Sequence, residues 1–287
     1  MGKQASLVLS DELLSQFYAF KENGNYDQQL VEKLLHYYKP VYLTNIAQLD
    51  RIGHLPDATL RVNLIKSKLV KQPLEELARK TRFKVILCTD RDDFPFINIH
   101  GDKVENNYSG TFLRSESRAK AMAHIEALCA DAEAEIIVYD KYFNSSNRET
   151  ERQNVEVLKK ILPKRKLKIR FVRDSFSAYQ QGELRAACTS WSLSEELLAD
   201  NHDRYLIIDN KMEIVLTSGF QYLTDDRKDF TYLVRKIIII TGIPKNASAR
   251  LEPKSYSFYL SLHSDFIIFA IILRNTIYGD LGYIHKK

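Results

Sequence analysis

The sequence predicts an α/β protein, in which a mixed sheet flanked by helices follows a smaller α/β region. Three observations predict this class. Short, mainly apolar runs at residues 85–88 and 135–140 have the length and composition of buried strands. An amphipathic segment with helical spacing covers residues 148–162. Two apolar runs separated by the polar pair Asn210-Lys211 predict a β-hairpin.

Composition sets the class of protein and its compartment. A hydrophobic content of 45% and a charged content of 28% are typical of a globular chain. The net charge of +5 favours polyanionic partners, namely nucleic acid or anionic phospholipid. The cysteines are three in number and far apart, which excludes a disulfide framework and a zinc-binding spacing. We therefore expect a reducing, cytoplasmic location, with no cofactor, no metal and no integral membrane span.

Residues 1–110 are predicted to form an α/β region of unknown role, without an enzyme motif of its own. Ser10 can cap the first helix, and Pro73 can begin a later one. The pattern at residues 60–69 fits either a helix or a strand. The predicted elements are helices at residues 10–21 and 28–38 and from residue 73, and strands at residues 41–43 and 85–88.

Two polar segments of this region could be functional or merely connecting. Residues 90–93 hold three carboxylates and an arginine, and a metal-binding loop competes there with a solvated turn before Pro95. We favour the solvated turn. Residues 106–110 are turn-prone, and a plain connection is favoured over a loop that contacts substrate.

Residues 111–236 are predicted to form the main domain, beginning with a helix at residues 115–131. His124 on this helix is interpreted as a packed or surface residue rather than a ligand. The next strand, at residues 135–140, is apolar enough to be central. Since ligands collect at the carboxyl ends of strands in open α/β sheets, Asp140 and Tyr142 are candidates to line a site. A structural capping role for the two residues stays equally open.

A basic strand is predicted at residues 166–172, where charged and apolar side chains alternate. One interpretation is a solvated face whose charges protect a sheet edge. The other is a phosphate-binding track for a nucleic-acid backbone or an anionic membrane surface. The charged face consists of Lys166, Lys168 and Arg170, and the apolar face of Leu167, Ile169 and Phe171.

The predicted hairpin carries residue types suited to phosphate chemistry. An imidazole such as that of His202 can attack phosphorus and leave again, since its pKa lies near working pH. Arg204, two residues along the strand, points to the same face and can hold phosphate oxygens through paired hydrogen bonds. Asp209 must act at the strand end or in the turn. Ser218 and Gly219 could offer a hydroxyl and a backbone N–H to the same anion.

The H-x-R-x4-D spacing of His202, Arg204 and Asp209 resembles the H-x-K-x4-D signature of the phospholipase D superfamily, with Arg204 where the family usually has lysine. The family's usual Gly-Ser pair is reversed here as Ser218-Gly219. The form H-D-R-Y-L-I-I-D also resembles a divergent bacterial branch, and the phospholipase D-like C-terminal domain of MIT-domain-containing proteins. The resemblance covers about residues 134–236 and implies a phospholipase D-like mixed sheet.

The resemblance implies a metal-independent phosphodiesterase. Two motifs usually meet across a pseudo-twofold axis in this family, and the chain has one, so the resemblance implies a homodimer. His202 would be nucleophile or general acid, Arg204 and Ser218 would bind phosphate, and Asp209 would orient a neighbour. A nuclease is favoured over a lipase because of the basic strand. The alternative is a non-catalytic module that binds anionic lipid headgroups or nucleic acid through the same pocket.

Residues 237–287 form an atypical apolar C-terminal tail. The apolar run at residues 266–273 is too short to cross a bilayer, and Arg274 bounds it. We interpret it as a buried element rather than a membrane or partner anchor. The tail has no counterpart in the resemblance, and no role is predicted for it.

Overall fold

Two β-sheets, one parallel and one mixed, organise the chain. The computed structural model describes residues 5–37, 41–100, 108–173, 177–197 and 204–237, and the fold is described for these residues. These residues combine eight α-helices with two β-sheets, so the predicted α/β class is confirmed. The predicted tail lies outside the described residues, apart from Ile237.

The N-terminal sheet is parallel, and its two central strands are buried. Its strands are β1 (Leu7–Leu9), β2 (Tyr42–Leu43), β3 (Ile86–Cys88) and β4 (Phe96–Asn98), in the order β2-β1-β3-β4. Every residue of β1 and β3 is buried, as expected for parallel strands covered on both faces. The predicted strands β2 and β3 are confirmed. Strands β1 and β4 were not predicted, because a strand of three residues is too short to show an alternating pattern.

Five helices accompany this sheet, and local capping explains where two of them start. The Ser10 hydroxyl accepts the Leu13 N–H (3.3 Å), which begins the first helix as predicted. The Asp57 carboxylate accepts the Leu60 N–H (2.7 Å), so the ambiguous segment is a helix. The helices are α1 (Asp11–Lys21), α2 (Gln28–Tyr37), α3 (Ile46–Arg51), α4 (Ala58–Lys66) and α5 (Leu74–Arg79).

The second sheet has seven strands in the order β5-β11-β10-β9-β6-β7-β8. Strands β6, β7 and β8 are parallel to one another, and the remaining neighbours are antiparallel. The strands are β5 (Tyr108–Phe112), β6 (Glu135–Tyr139), β7 (Leu167–Arg173), β8 (Trp191–Leu197), β9 (Arg204–Ile208), β10 (Met212–Leu216) and β11 (Phe230–Lys236). The helices between them are α6 (Ala119–Cys129), α7 (Arg148–Ile161) and α8 (Ala178–Ala187), with a short 3-10 helix at Phe220–Leu223.

One face of the mixed sheet is buried under helices. Ile136, Leu206 and Ile214, from three neighbouring strands, lie in one core with Ile125 of α6 and Leu158 of α7. Successive strand residues point to opposite faces, so the alternate positions form a second face that is more polar. The central position of β6, between β9 and β7, is confirmed. The predicted hairpin is also confirmed, with β9 and β10 paired antiparallel.

Two expectations about this sheet are wrong. The basic strand β7 does not protect an edge, because it lies between β6 and β8. Strand β11 is also internal, because β5 pairs with its outer side and forms the edge. The turn-prone segment around Ser109 is the start of β5, whose glycine serves packing. A Cβ on Gly110 would lie 2.7 Å from the Tyr232 ring, so the strand needs glycine there.

The domain boundary predicted at residue 110 stays a prediction. Strand β5 spans this position and belongs to the mixed sheet.

The segment at residues 90–93 is an exposed turn, which is the interpretation favoured from the sequence. Within it, Arg91 pairs with Asp93 (2.8 Å). Within the described ranges, no group of three His, Cys, Asp or Glu side chains is placed to hold a metal. Nor does any helix of this part of the chain have the length and apolarity needed to cross a membrane.

His124 joins the mixed sheet to the N-terminal region, which confirms that it is a packed residue. Its side chain is 1% exposed. Nε2 lies 2.7 Å from the Phe83 carbonyl oxygen, and Nδ1 lies 2.7 Å from the Tyr232 hydroxyl. A carbonyl oxygen can only accept, so Nε2 carries the proton and Nδ1 accepts from the hydroxyl. Burial lowers the pKa of His124 to about 4.

We expect this buried imidazole to weaken the fold in acid. An unfolded histidine has a pKa near 6.5, so between there and about 4 the unfolded chain binds more protons. Stability is therefore fully present above about pH 6.5 and falls by up to about 3 kcal/mol as pH drops to about 4. The free energy of unfolding, measured with urea between pH 6.5 and pH 4, should depend less steeply on pH in His124→Gln than in the wild type. Equal pH dependence in the two proteins would contradict the lowered pKa of His124.

Candidate active site

The carboxyl ends of β6, β7 and β8 share one edge of the mixed sheet with the start of β9. This follows from the register, because β9 runs antiparallel to β6 and Tyr139 is paired with Tyr205. Asp140 directly follows β6, and Arg204 begins β9. The fold therefore places these two charged residues next to each other at the edge where α/β sheets bind ligands.

Asp140 holds Arg204 in a partly buried ion pair. The Arg204 Nε lies 3.6 Å from Asp140 Oδ1, and the two side chains are 20% and 2% exposed. The same carboxylate oxygen accepts the Tyr142 backbone N–H (2.8 Å). A carboxylate at this distance attracts the guanidinium electrostatically, although the separation is longer than a hydrogen bond. Asp140 thus lies beside the cation and accepts a hydrogen bond from the loop that follows β6.

Tyr142 completes the cluster from the solvent side. The Arg204 guanidinium carbon lies 5.2 Å from the centre of the Tyr142 ring, which is a cation–π distance. Tyr142 is 44% exposed, so part of its side chain faces solvent at this edge of the sheet. The structure brings together three predicted site residues: Arg204, Asp140 and Tyr142.

Two buried amides behind this cluster were not predicted. The Asn154 and Gln180 side chains both donate to the Phe143 carbonyl, at 3.2 and 3.0 Å. Asn154 Oδ1 also accepts the Gln221 N–H (2.9 Å). These bonds tie the loop after β6 to α7, α8 and the turn after β10. The available signal was a polar residue at position 154, which shares the helical spacing of the buried residues Leu158 and Ile161.

Ser218 and Gly219 lie at the same end of the hairpin as Arg204. Leu216 is paired with Arg204, and Ser218 follows two residues later. Ser218 is half-buried, and Gly219 directly precedes the 3-10 helix at Phe220–Leu223. A Cβ on Gly219 would lie 2.1 Å from the Gln221 side-chain oxygen, so glycine makes room for that side chain. A phosphate-binding role for Ser218 and Gly219 stays a prediction.

Asp209 lies at the opposite end of β9 from Arg204, about 17 Å along the strand. Its carboxylate accepts the backbone N–H groups of the three residues that lead into β6, at 2.8–2.9 Å. Partial burial raises the pKa of Asp209, but these three hydrogen bonds outweigh it and hold the pKa below its ordinary value. The structure does not bring Asp209 to the cluster around Arg204. Any effect on the site must pass through β9 and β6.

We therefore expect Asp209→Asn to affect stability rather than chemistry. The amide cannot accept all three N–H groups, so unfolding should become easier by about 1–3 kcal/mol. Because the folded pKa is depressed, this contribution is present above about pH 4 and disappears as pH falls further. Urea unfolding at pH 7 and pH 3.5 measures both effects. A large loss of hydrolysis at unchanged stability would show that Asp209 acts in the reaction.

The basic strand is accompanied by carboxylates on the same sheet face. Lys168 lies 3.0 Å and Arg170 lies 3.2 Å from Glu135, and Arg170 also pairs with Glu196 (2.8 Å). Burial raises the pKa of Glu135, but hydrogen bonds from both cations lower it overall, so it stays ionised. Lys166 is exposed and has no ion-pair partner in the described part of the chain. The alternation of faces is confirmed, and the phosphate-binding role of the strand stays a prediction.

His202 lies outside the described residues, two positions before Arg204 in the sequence. Its role is therefore inferred from the motif alone. The described residues that follow His202 in the motif lie at one sheet edge, where Arg204 is close to the buried Asp140 carboxylate and to the Tyr142 ring.

Comparison with known proteins finds a partial structural likeness only. No protein-family description matches the chain, and no curated protein matches it. Solved structures with some likeness include NucT from Helicobacter pylori, at 13% identity and a TM-score of 0.30, over 44% of this chain and 85% of that one. Nuc from Salmonella typhimurium, described as a phospholipase D family member, has 15% identity and a TM-score of 0.29, over 46% and 84%.

A third similar structure is a phosphatidylserine synthase from Haemophilus influenzae, at 10% identity and a TM-score of 0.27, over 45% of this chain and 34% of that one. Scores this low carry no argument about activity, so the function of this chain is inferred from the geometry of its own site.

Proposed function

We propose that the chain is a phospholipase D-like phosphodiesterase, a metal-independent nuclease that acts through His202 as a homodimer. The observation that carries the proposal is the pair of Arg204 and buried Asp140 at the carboxyl edge of the mixed sheet, two residues from His202. A fixed guanidinium beside an imidazole is what binding and attack of a phosphodiester require.

Arg204 supplies the positive charge that the transition state needs. Its guanidinium, which lies beside the Asp140 carboxylate, is assigned to the phosphate oxygens. A guanidinium that is already oriented needs no reorganisation when charge develops on those oxygens. Ser218 and Gly219, at the same end of the hairpin, add a hydroxyl and a backbone N–H. Asp140 is a positioning residue that acts through Arg204.

The reaction proceeds in two displacements. An imidazole nitrogen of His202 attacks phosphorus while the phosphorus–oxygen bond to the leaving group breaks, and the partner subunit's His202 gives its proton to that oxygen. Water then attacks the phosphohistidine, giving its proton back to the partner subunit's His202. The phosphorus–nitrogen bond breaks, and both imidazoles return to their starting forms. Each dimer thus combines two copies of one motif into one active site.

Tyr142 favours nucleic acid over phospholipid as the substrate. Its exposed ring adjoins Arg204, where it can stack on a base next to the scissile phosphate. Such stacking contributes about 1–3 kcal/mol per base. The basic strand, with the exposed Lys166, adds attraction for the phosphate backbone.

The proposal is tested with a panel of substrates in excess EDTA. We expect cleavage of labelled single-stranded DNA or RNA, with weaker cleavage of duplexes, and no hydrolysis of phosphatidylcholine or phosphatidylserine vesicles. Tyr142→Ala should weaken binding of the cleaved substrate about tenfold, within the range of one lost stacking contact. Cleavage that EDTA abolishes, or that appears only with lipid, would contradict the proposal.

A non-catalytic binding module is the second candidate. It is favoured by Arg204, which stands where the related motif has lysine and which pairs with a buried carboxylate. Arginine binds phosphate through a planar fork and does not replace lysine in every geometry. The expected result in this case is no cleavage at all, with salt-sensitive nucleic-acid binding that is lost in Arg204→Ala and unchanged in His202→Ala.

A further inference from the structure

The outer face of α4 carries an apolar stripe that the fold leaves uncovered. Leu64 is 7% exposed and attaches the helix to the core, whereas Val62 and Ile65 are 46% and 52% exposed. Helical spacing turns Val62 and Ile65 away from Leu64, with Arg61 and Lys66 bordering them. A helix with aliphatic side chains facing water and cations on both flanks is not explained by packing within this chain.

The segments before and after α4 carry two further exposed apolar side chains. Leu55 is 84% exposed and Val70 is 40% exposed. Four of the eight large hydrophobic side chains that are exposed among the described residues thus fall between positions 55 and 70. Scattered exposed side chains are ordinary, but a cluster of this kind marks an interaction site.

The same surface is strongly cationic. Between positions 55 and 71 the chain has four basic residues and one acidic residue, Asp57, whose carboxylate caps α4. All four cations are exposed, and none has an ion-pair partner in the described part of the chain. The basic–apolar surface consists of Leu55, Arg61, Val62, Ile65, Lys66, Lys68, Val70 and Lys71.

We propose that the basic–apolar surface docks on the face of an anionic lipid bilayer. Aliphatic side chains gain by leaving water for the acyl boundary, and lysines beside them remain at the headgroups. Each cation near an anionic surface adds about fivefold in affinity. A nucleic-acid backbone would use the cations but gain nothing from Leu55, Val62 or Ile65, and the surface has no aromatic ring for a base. This docking does not depend on the proposed phosphodiesterase activity.

Co-sedimentation with vesicles tests the proposal. The full chain should sediment with phosphatidylcholine vesicles that contain phosphatidylserine, and not with phosphatidylcholine alone. Val62→Gln combined with Ile65→Gln should weaken binding at least about tenfold, because two buried aliphatic groups are lost. Lys66→Gln with Lys68→Gln and Lys71→Gln should weaken it about a hundredfold. All five positions are exposed, so circular dichroism should show unchanged folding.

Leu113→Gln is the matched control, since Leu113 is 58% exposed but lies outside the surface. It should bind vesicles as the wild type does. The proposal is overturned if phosphatidylserine vesicles do not bind, or if the Val62 and Ile65 double variant binds as well as the wild type. Binding to single-stranded DNA that needs the lysines but not the aliphatic residues, without vesicle binding, would assign the surface to nucleic acid instead. Hydrolysis should be unchanged in every variant.

Discussion

His202→Ala is expected to lower hydrolysis of nucleic acid by at least about a thousandfold, the usual scale for loss of a nucleophile. Binding should remain close to wild type, because Arg204, Asp140 and Tyr142 are untouched. The measurement is cleavage in EDTA beside equilibrium binding of the same labelled strand. His124→Gln is a matched control in which the histidine lost is structural, and it should retain activity at pH 7.5.

His202→Ala also tests the homodimer. If each active site needs His202 from both subunits, a subunit that lacks His202 inactivates its wild-type partner. Equal amounts of wild type and His202→Ala, unfolded and refolded together, should then show about a quarter of the activity of the same total amount of wild type. Subunits that act independently would show about half. Equal hydrolysis by His202→Ala alone would contradict both the mechanism and the proposed nucleophile.

Arg204→Ala is expected to lower the rate of hydrolysis by about 100- to 1000-fold, as for other lost donors to a developing phosphate charge. It should also weaken substrate binding and reduce the salt dependence of that binding by about one phosphate contact. Arg204→Lys should retain more activity than the alanine variant, because it keeps a positive charge. Arg152→Ala, which removes an exposed arginine from α7, is the control and should have no effect.

The Arg204 variant also changes stability, and this effect must be separated from the loss of activity. It removes a cation that pairs with the buried Asp140 carboxylate, and breaking a buried pair typically costs about 3–5 kcal/mol. Thermal unfolding identifies a temperature at which the variant is folded, and rates are compared there. Combining Arg204→Ala with Asp140→Asn should recover much of the stability but none of the activity. Recovery of activity in the double variant would show that Arg204 does not bind the phosphate.

The sequence predicted the elements with strong periodicity or clear capping. The Arg148–Ile161 helix, the central strand β6 and the β9–β10 hairpin form as expected, because each has a long pattern of apolar residues that packing reinforces. It failed where the pattern was too short, as in β1 and β4. It also failed at Gly110, where a residue that usually favours turns serves the close approach of Tyr232.

Part of the candidate site was predictable because it follows a strand that the sequence predicts. Asp140 and Tyr142 were suspected because they follow a strand, and the structure brings both to Arg204. The motif assigned Asp209 to the site, but Asp209 lies at the opposite end of β9 from Arg204, because five residues of a strand span about 17 Å. The amides of Asn154 and Gln180 depend on contacts between distant segments, which a single sequence does not reveal.

The most direct test of the proposed mechanism is the stereochemical course at phosphorus. A substrate with a chiral phosphorothioate linkage is hydrolysed in isotopically labelled water with EDTA present. Two successive displacements, first by His202 and then by water, each invert the configuration, so we expect net retention. Net inversion would mean that water attacks phosphorus in a single step, and it would contradict a phosphohistidine at His202.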